Sequence, residues 1–470
     1  MELAAAHIVT IMQAVQYELV LLAAVGIALL GTEDVAFDLL WLMRRRPPAP
    51  PAPMPIVGPI AVFVPAWRES AVLAGTIAAM LDAWQDEDVR IYVGCYPNDA
   101  ATLFAISPAV AAHPRLRLVI GERAGPTSKA DNLNSIWRAM GADERAERAE
   151  FAAVVLHDAE DHVHGEEIAL FRRTLPGRAM VQIPVEPIIE DGLIAAHYAD
   201  EFAEAHGKEL PLRAALRAGL PAAGTGCAFS RRALVLLALE RAEGPFQADS
   251  LTEDYEVGIM LGAAGAWCHF VEARGLDGRR IAVRSAFPET LEACVRQKSR
   301  WVAGIAFAGW DRLSWSGLAP TQNGTAVPRS LIGAALLRWM LWRDRRAPLA
   351  ACVILAAYLA MVLTGIDAAG ALVGWWQAMP VEGALAVVLM VNAMVMAWRL
   401  GMRMVFSASV YGWRQGLLAV PRAFVGNVIH ILAARRAFAI YMRQLHTREL
   451  VWDKTDHRPI GVIAAVPERR

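Results

Sequence analysis

Apolar positions fall along this chain in two regimes. Between residues 56 and 285 they come in short runs, each broken by a polar turn and then a helical pattern. Residues 60–64, 90–94, 116–120, 151–156 and 180–183 read as strands, and 71–84 as a helix between the first two. Strands alternating with helices predict an α/β domain on a doubly wound, mostly parallel sheet. Ligands of such sheets collect beyond the carboxyl ends of the strands. Elsewhere the apolar runs are longer. Residues 19–32 form one, extendable to Met43 although Glu33, Asp34 and Asp38 interrupt it. Residues 347–366 carry no charge and make a helix of about 30 Å, enough to cross a bilayer. Residues 383–398 are a third candidate. Two further stretches, 368–381 and 417–432, are weaker; Pro421, Arg422 and His430 suit the latter to the membrane interface.

Arginines orient these segments. Arg44, Arg45 and Arg46 follow the first span, Arg338, Arg343, Arg345 and Arg346 precede the second, and Arg399, Arg403 and Arg414 follow the third. Three spans put all three clusters on one side, and the positive-inside rule makes that side the cytoplasm. The expected organisation is a transmembrane segment at 1–46 and a stiff proline-rich linker, PPAPPAPMP, at 47–55. A cytoplasmic α/β domain at 56–285 follows, then interfacial helices at 286–346, transmembrane helices at 347–405, and an interfacial helix with a cytoplasmic tail at 406–470.

Composition supports this plan. The hydrophobic share of 56% and mean hydropathy of +0.34 point to membrane segments. A net charge of −1 gives no basic field for nucleic acid. Five scattered cysteines, without a CxxC pair, suit free thiols better than a disulfide framework. Lysine is rare, at 129, 208, 298 and 454 only, which draws attention to Lys129.

The candidate chemistry sits just past the predicted strands. Residues 156–165, LHDAEDHVHG, follow the fourth strand and offer Asp158, Glu160 and Asp161 as hard oxygen ligands for Mg²⁺ or Mn²⁺ bridging a diphosphate. A solvated turn is the alternative; His157, His162 and His164 lack helical ligand spacing. Glu69 stands in FVPAWRE after the first strand, and Asp99 in VGCYPND after the second. In TSKADNLN, Ser128 or Thr127 can cap a helix whose amino end, with Lys129, favours a phosphate; a plain capped helix is the other reading. In LTEDY, Ser250 and Glu253 have the spacing of a capping box, which leaves Asp254 free to act as a base. In QKSRW, Gln297, Arg300 and Trp301 share one helical face, suited to a phosphate and a sugar ring or to packing at a membrane surface.

Taken in order, these motifs resemble the membrane-embedded glycosyltransferases of family 2, the cellulose-synthase and hyaluronan-synthase group. The wording HDAED and the single amino-terminal span look most like the phage-adsorption protein B subfamily of inner-membrane glycosyltransferases. The resemblance covers roughly residues 17–450 and implies a GT-A type nucleotide-sugar-binding fold. It implies an inverting, Mg²⁺- or Mn²⁺-dependent transfer from a nucleotide diphosphate sugar, a UDP-sugar by preference, to a polysaccharide, glycan or lipid-linked acceptor. Glu69 and Asp99 would hold the nucleoside, Lys129 and Asp158 the diphosphate, and Asp158 with Asp161 the metal. Asp254, with Glu253, would deprotonate the acceptor; Gln297, Arg300 and Trp301 would serve the leaving group and acceptor sugar. Residues 221–227, whose glycines permit close backbone approach, read either as a loop facing the acceptor or as a core-packing turn. Membrane lipids and an outer-membrane or periplasmic export partner are the implied associations. A membrane scaffold of an export or phage-uptake complex, with little activity of its own, is the alternative. A metal-dependent phosphohydrolase is the third reading, suggested by the His/Asp cluster alone.

Overall fold

The computed structural model describes residues 2–44, 54–189, 192–241, 243–318 and 330–447. Arg45, Arg46, most of the proline-rich linker and the tail from residue 448 lie outside the described residues. Nine strands run in chain order: β1 (Ile60–Pro65), β2 (Val89–Cys95), β3 (Leu116–Ile120), β4 (Ala153–Leu156), β5 (Met180–Gln182), β6 (Val185–Pro187), β7 (Cys227–Ser230), β8 (Cys268–Phe270) and β9 (Val283–Ser285). Seven of them form one sheet in the order β3-β2-β1-β4-β7-β5-β8, while β6 and β9 pair separately. Every pairing in the large sheet is parallel except those of β7, which runs against both β4 and β5. The mostly parallel sheet is as expected. The reversed strand is not, because its four residues follow glycines and read as the end of a loop.

Helices α2 (Leu73–Ala83), α3 (Ala100–Ala112), α4 (Lys129–Glu147) and α5 (Glu167–Thr174) form crossovers and cover both faces. One face packs Phe63, Tyr92 and Leu156 on Leu133 and Met140; the other packs Val62, Val64 and Ile91 on Ile77 and Trp84. The alternation is that of a sheet buried on both sides. Helix α6 (Leu193–Glu204) continues through a π-helical turn at Ala205–Glu209 into α7 (Leu210–Leu216); α8 (Arg231–Leu239) and α9 (Glu253–Ala263) follow. Helix α10 (Leu291–Val302) also runs into a π segment, Ala303–Ala308, before the short α11 (Gly309–Leu313) and then α12 (Leu331–Arg345).

Among the described residues four helices are long and apolar enough to cross a membrane: α1 (Glu2–Met43), α13 (Ala347–Leu372), α14 (Gly383–Tyr411) and α15 (Trp413–Thr447). The arginine clusters led us to expect three. Helices α13 and α14 both pack on α1. Helix α15 packs on α14 and α13 and also lies along the α/β domain: Arg422 pairs with Asp200 of α6 at 2.7 Å, Ile429 packs on Tyr198 and Cys294, and Tyr441 donates to Asp311 of α11. Its opposite face exposes Leu417, Phe424, Val428, Phe438, Met442 and Leu445, one stripe at helical spacing.

The acids that interrupt the first span meet the arginines. Arg343 donates to Glu33 at 2.8 Å and to Asp34 at 3.1 Å, and Arg346 also binds both. Deeper in, Lys208 of the π turn donates to Asp38 at 2.5 Å and to Glu204 at 2.8 Å, while Arg399 and Arg403 each reach Glu204 at 3.2 Å. Apolar helices and α/β-domain helices are thereby tied through one ionic layer.

Candidate active site

A cleft opens beyond the carboxyl ends of β1 and β4, with a volume of about 170 Å³. Glu69, Lys129, Asp158, Glu253, Asp254, Gln297, Arg300 and Trp301 all line it. Segments more than two hundred residues apart in sequence therefore converge on one site.

Lys129 is the first residue of α4, whose cap is the Ser128 side chain accepting the Asp131 N–H at 3.1 Å. The cap fixes the helix start from which Lys129 reaches into the cleft. Its ammonium lies 2.5 Å from Asp158 Oδ1 and 3.2 Å from the Gly224 carbonyl. Burial works against that charge, but Asp158, Glu253 and Asp254 outweigh it and raise the group's proton affinity.

Helix α9 begins at Glu253 with Thr252 as N-cap, and the expected Ser250–Glu253 capping box does not form. Ser250 instead accepts the Thr252 N–H at 3.1 Å and donates to Glu256 at 2.6 Å. Glu253 is left buried; burial first, then the neighbouring charge of Asp254, push it up to about 7. Asp254 is raised by burial too, against the pull of Lys129. Its Oδ1 accepts the Tyr255 N–H at 2.7 Å, and the Tyr255 hydroxyl is anchored on Asp344 at 2.9 Å. Gly224, at φ +77°, presses on the other side: a Cβ there would stand 2.3 Å from Asp254 Oδ2. The glycine of the 221–227 loop thus fixes where the carboxylate can be.

On α10, Gln297, Arg300 and Trp301 share the cleft-facing side, as their spacing predicts. Trp301 stands edge-on to Tyr198, at 5.9 Å between centroids, beside Phe202 and Phe287. Three buried polar atoms of the site, Gln297 Oε1, Arg300 Nε and Thr252 Oγ1, have no hydrogen-bond partner. Orphaned buried groups of this kind call for a ligand.

Two expected residues are placed otherwise. Asp161 does not line the cleft: it is 1% exposed, and its carboxylate is held by Ser285, Thr225, the Asp158 N–H at 2.8 Å and His157 Nδ1 at 3.1 Å. His157 also bonds Glu167 at 2.8 Å; burial opposes its charge, yet Glu167 and Asp161 prevail and hold it at about 10. Asp161 and His157 form a buried ionic brace under the turn, off the wall of the cleft. Asp99 also faces away, capping α3 through Thr102 N–H and accepting the Arg68 N–H at 2.5 Å. It shapes the loop that carries Glu69. In place of Asp161, Glu160 lines the cleft beside Asp158, a D-x-E spacing legible in the sequence. Trp67 and Asn132 line it as well, whereas Phe202 and Phe287 carry no local motif that could have revealed them.

Among the described residues no group of three or more His, Cys, Asp or Glu side chains is arranged to hold a metal alone. Asp158 and Glu160 fit Mg²⁺ or Mn²⁺ all the same, because such ions take one or two carboxylates and complete their shell with phosphate oxygens and water.

A family model described as glycosyltransferase like family 2 matches residues 58–304, just over half of the chain. Bacteriophage adsorption protein B of Escherichia coli (strain K12) is 33% identical over 424 residues, covering 85% of this chain and 54% of its own length. Bacteriophage N4 adsorption protein B of Escherichia coli O157:H7 matches with the same identity and coverage. The chain therefore spans about half the length of the curated relatives it matches. Among solved structures, the mannosyltransferase PcManGT from Pyrobaculum calidifontis, in complex with GDP-Man and Mn²⁺, aligns at a TM-score of 0.47 and 17% identity, over 89% of this chain and 99% of its own. Glucosyl-3-phosphoglycerate synthase from Mycobacterium tuberculosis aligns at 0.31 and 18%, over 58% and 87%.

Proposed function

The chain belongs to glycosyltransferase family 2, and from that premise we propose that it transfers a sugar from a nucleotide diphosphate donor, a UDP-sugar by preference, to a growing polysaccharide or lipid-linked glycan, with inversion at the sugar C1. The observation that carries this reading is the convergence of Lys129, Asp158, Glu160, Asp254 and the α10 triad on one cleft that holds three orphaned polar atoms.

The diphosphate sits at the amino end of α4, where Lys129 and the helix dipole offer positive charge. Asp158 and Glu160 would hold Mg²⁺ or Mn²⁺, which when bound would neutralise charge growing on the leaving diphosphate. Asp254 takes the proton of the acceptor hydroxyl. The acceptor oxygen bonds to C1 as the C1–phosphate oxygen bond breaks on the opposite face, so the anomeric configuration inverts. Burial and the charge of Asp254 push Glu253 up to about 7, so it is partly protonated near neutrality and lessens the negative charge beside Asp254, the residue placed to act as the base. Arg300 and Gln297 turn their unpartnered atoms to the departing nucleotide, and Trp301 with Phe202 and Phe287 seats the acceptor sugar. The aromatic wall suits repeated additions to one glycan.

Helices α1, α13 and α14 cross a bacterial inner membrane, with the amino terminus outside, the α/β domain in the cytoplasm and α15 along the inner surface. Reporter tags at Gly141 should read cytoplasm, and a periplasmic reading would remove the site from its donor. The name of the Escherichia coli relatives, bacteriophage adsorption protein B, fits a glycan delivered to the cell surface with an export partner.

The direct test is purified protein in nanodiscs, supplied with Mg²⁺ or Mn²⁺ and a panel of radiolabelled nucleotide sugars. One donor should label a polymeric or lipid-extractable product. Absence of transfer from every donor, or donor hydrolysis without an acceptor product, would refute the assignment.

A further inference from the structure

Helices α13 and α14 both rest on α1 but barely touch each other. Close approach is allowed on one side by Gly26, whose added Cβ would meet Val353 at 2.6 Å, and on the other by Gly31, which faces Val395 at 2.8 Å. Between them runs a furrow of about 660 Å³. It extends from Asp34, Arg346 and Arg399 at one end to Thr364 and Met379 at the other. Eighteen residues of α13 separate Arg346 from Thr364, about 27 Å of helix and close to the hydrocarbon thickness of a bilayer.

The walls decide what fits. Apart from Thr364 and Asn392 the lining between the two ends is apolar, so it offers water too few partners to be held there and a glycan chain almost none. Left empty, the walls would forgo dispersion contacts along their whole length. The charged end adds a second requirement. Arg346 is held there by Glu33 and Asp34, and across the whole ionic layer five bases (Arg343, Arg346, Arg399, Arg403 and Lys208) meet four acids (Glu33, Asp34, Asp38 and Glu204). Arg399 Nη1 is shielded from solvent yet hydrogen-bonds nothing, with Asp38 Oδ1 at 3.6 Å. One base in excess, with a guanidinium N–H left over, suits a phosphate oxygen, and the cytoplasmic leaflet is rich in anionic headgroups.

We infer that this furrow holds a tail of an anionic phospholipid from the cytoplasmic leaflet, its phosphate against Arg346 and Arg399. The inference rests on the membrane crossing of α1, α13 and α14 but not on any sugar transfer. Arg399 also bonds Glu204 at the end of α6, the helix whose Phe202 lines the catalytic cleft. The lipid phosphate therefore lies one helix away from the active-site wall.

The test is full-length protein reconstituted in nanodiscs of mixed phosphatidylcholine and phosphatidylglycerol, returned to detergent and weighed by native mass spectrometry. The wild type should retain one phosphatidylglycerol per chain. A357F, which fills the furrow at mid-depth from a lipid-facing position, and R399Q should each lower retention at least tenfold. Retention unchanged in A357F, phosphatidylcholine held equally well, or no lipid held by the wild type would overturn the inference while leaving the membrane reading intact. A chain that stays in solution without detergent or bilayer would overturn both.

Discussion

Replacing Gly224 with alanine should slow catalysis without removing any catalytic group. The new Cβ would lie 2.3 Å from Asp254 Oδ2 and 3.2 Å from Lys129 Nζ. Ordinary contact begins near 3.4 Å, so the carboxylate must retreat by about 1 Å, and a misplacement of that size costs on the order of 100-fold in rate. In free energy that is about 2.7 kcal/mol at the transition state. The substitution also forces alanine to φ +77°, which costs about 1–2 kcal/mol of stability by itself. Gly278 separates the two effects, because it has the same φ of +77° with nothing within 4 Å of an added Cβ. G278A should therefore lose comparable thermal stability and keep its turnover. Transfer of labelled sugar by nanodisc-embedded protein would be compared for both variants, with donor affinity measured by nucleotide binding. We expect kcat about 100-fold down in G224A, donor affinity within twofold, and G278A near wild type. Equal turnover in the two alanine variants would show that the position of Asp254 does not limit the reaction, and the base assignment would fall.

Three other outcomes follow from the site. D254N should lose at least ~10²-fold in turnover with donor binding unchanged; near-normal turnover would reduce Asp254 to a helix-start residue. D158A and E160A should weaken Mn²⁺-dependent nucleotide binding, measured by calorimetry, while D161N and H157A should instead unfold the turn, at about 3–5 kcal/mol for a broken buried pair; a D161N protein that is stable but blind to Mn²⁺ would restore Asp161 as a ligand. Glu253, raised from 4.5 to about 7, favours the native state when protonated, so its contribution is present below pH 4.5 and is lost as pH rises through 7. E253Q should accordingly melt higher than wild type at pH 8 in EDTA, by up to about 3 kcal/mol, and equally at pH 4.5; a difference of the opposite sign would contradict the burial assigned to Glu253.

The sheet was legible because its strands are continuous apolar runs, and β3 lies where the pattern puts it, at 116–120. β7 was hidden because Cys227–Ser230 is short and follows glycines, and only its pairing with β4 and β5 makes it a strand. The cleft-facing triad on α10 followed from helical geometry alone. The direction of Asp161 did not, since Thr225 and Ser285, far along the chain, turn it inward. Motif spacing places a carboxylate on a turn, and tertiary partners decide which side of the turn it serves. The same limit applies to Glu33, Asp34 and Asp38, which interrupt a span when read locally and meet arginines and a lysine in the fold.

That ionic layer also sets a timetable for synthesis. Glu33 and Asp34 emerge from the ribosome roughly 300 residues before Arg343 and Arg346. At about 5–20 residues per second the first helix waits some ~15–60 s with two acids near the bilayer and no permanent partner. Asp38 waits less, since Lys208 arrives first. During that interval water is the only partner these carboxylates can have, and the ion pairs of the layer close only when the later helices arrive.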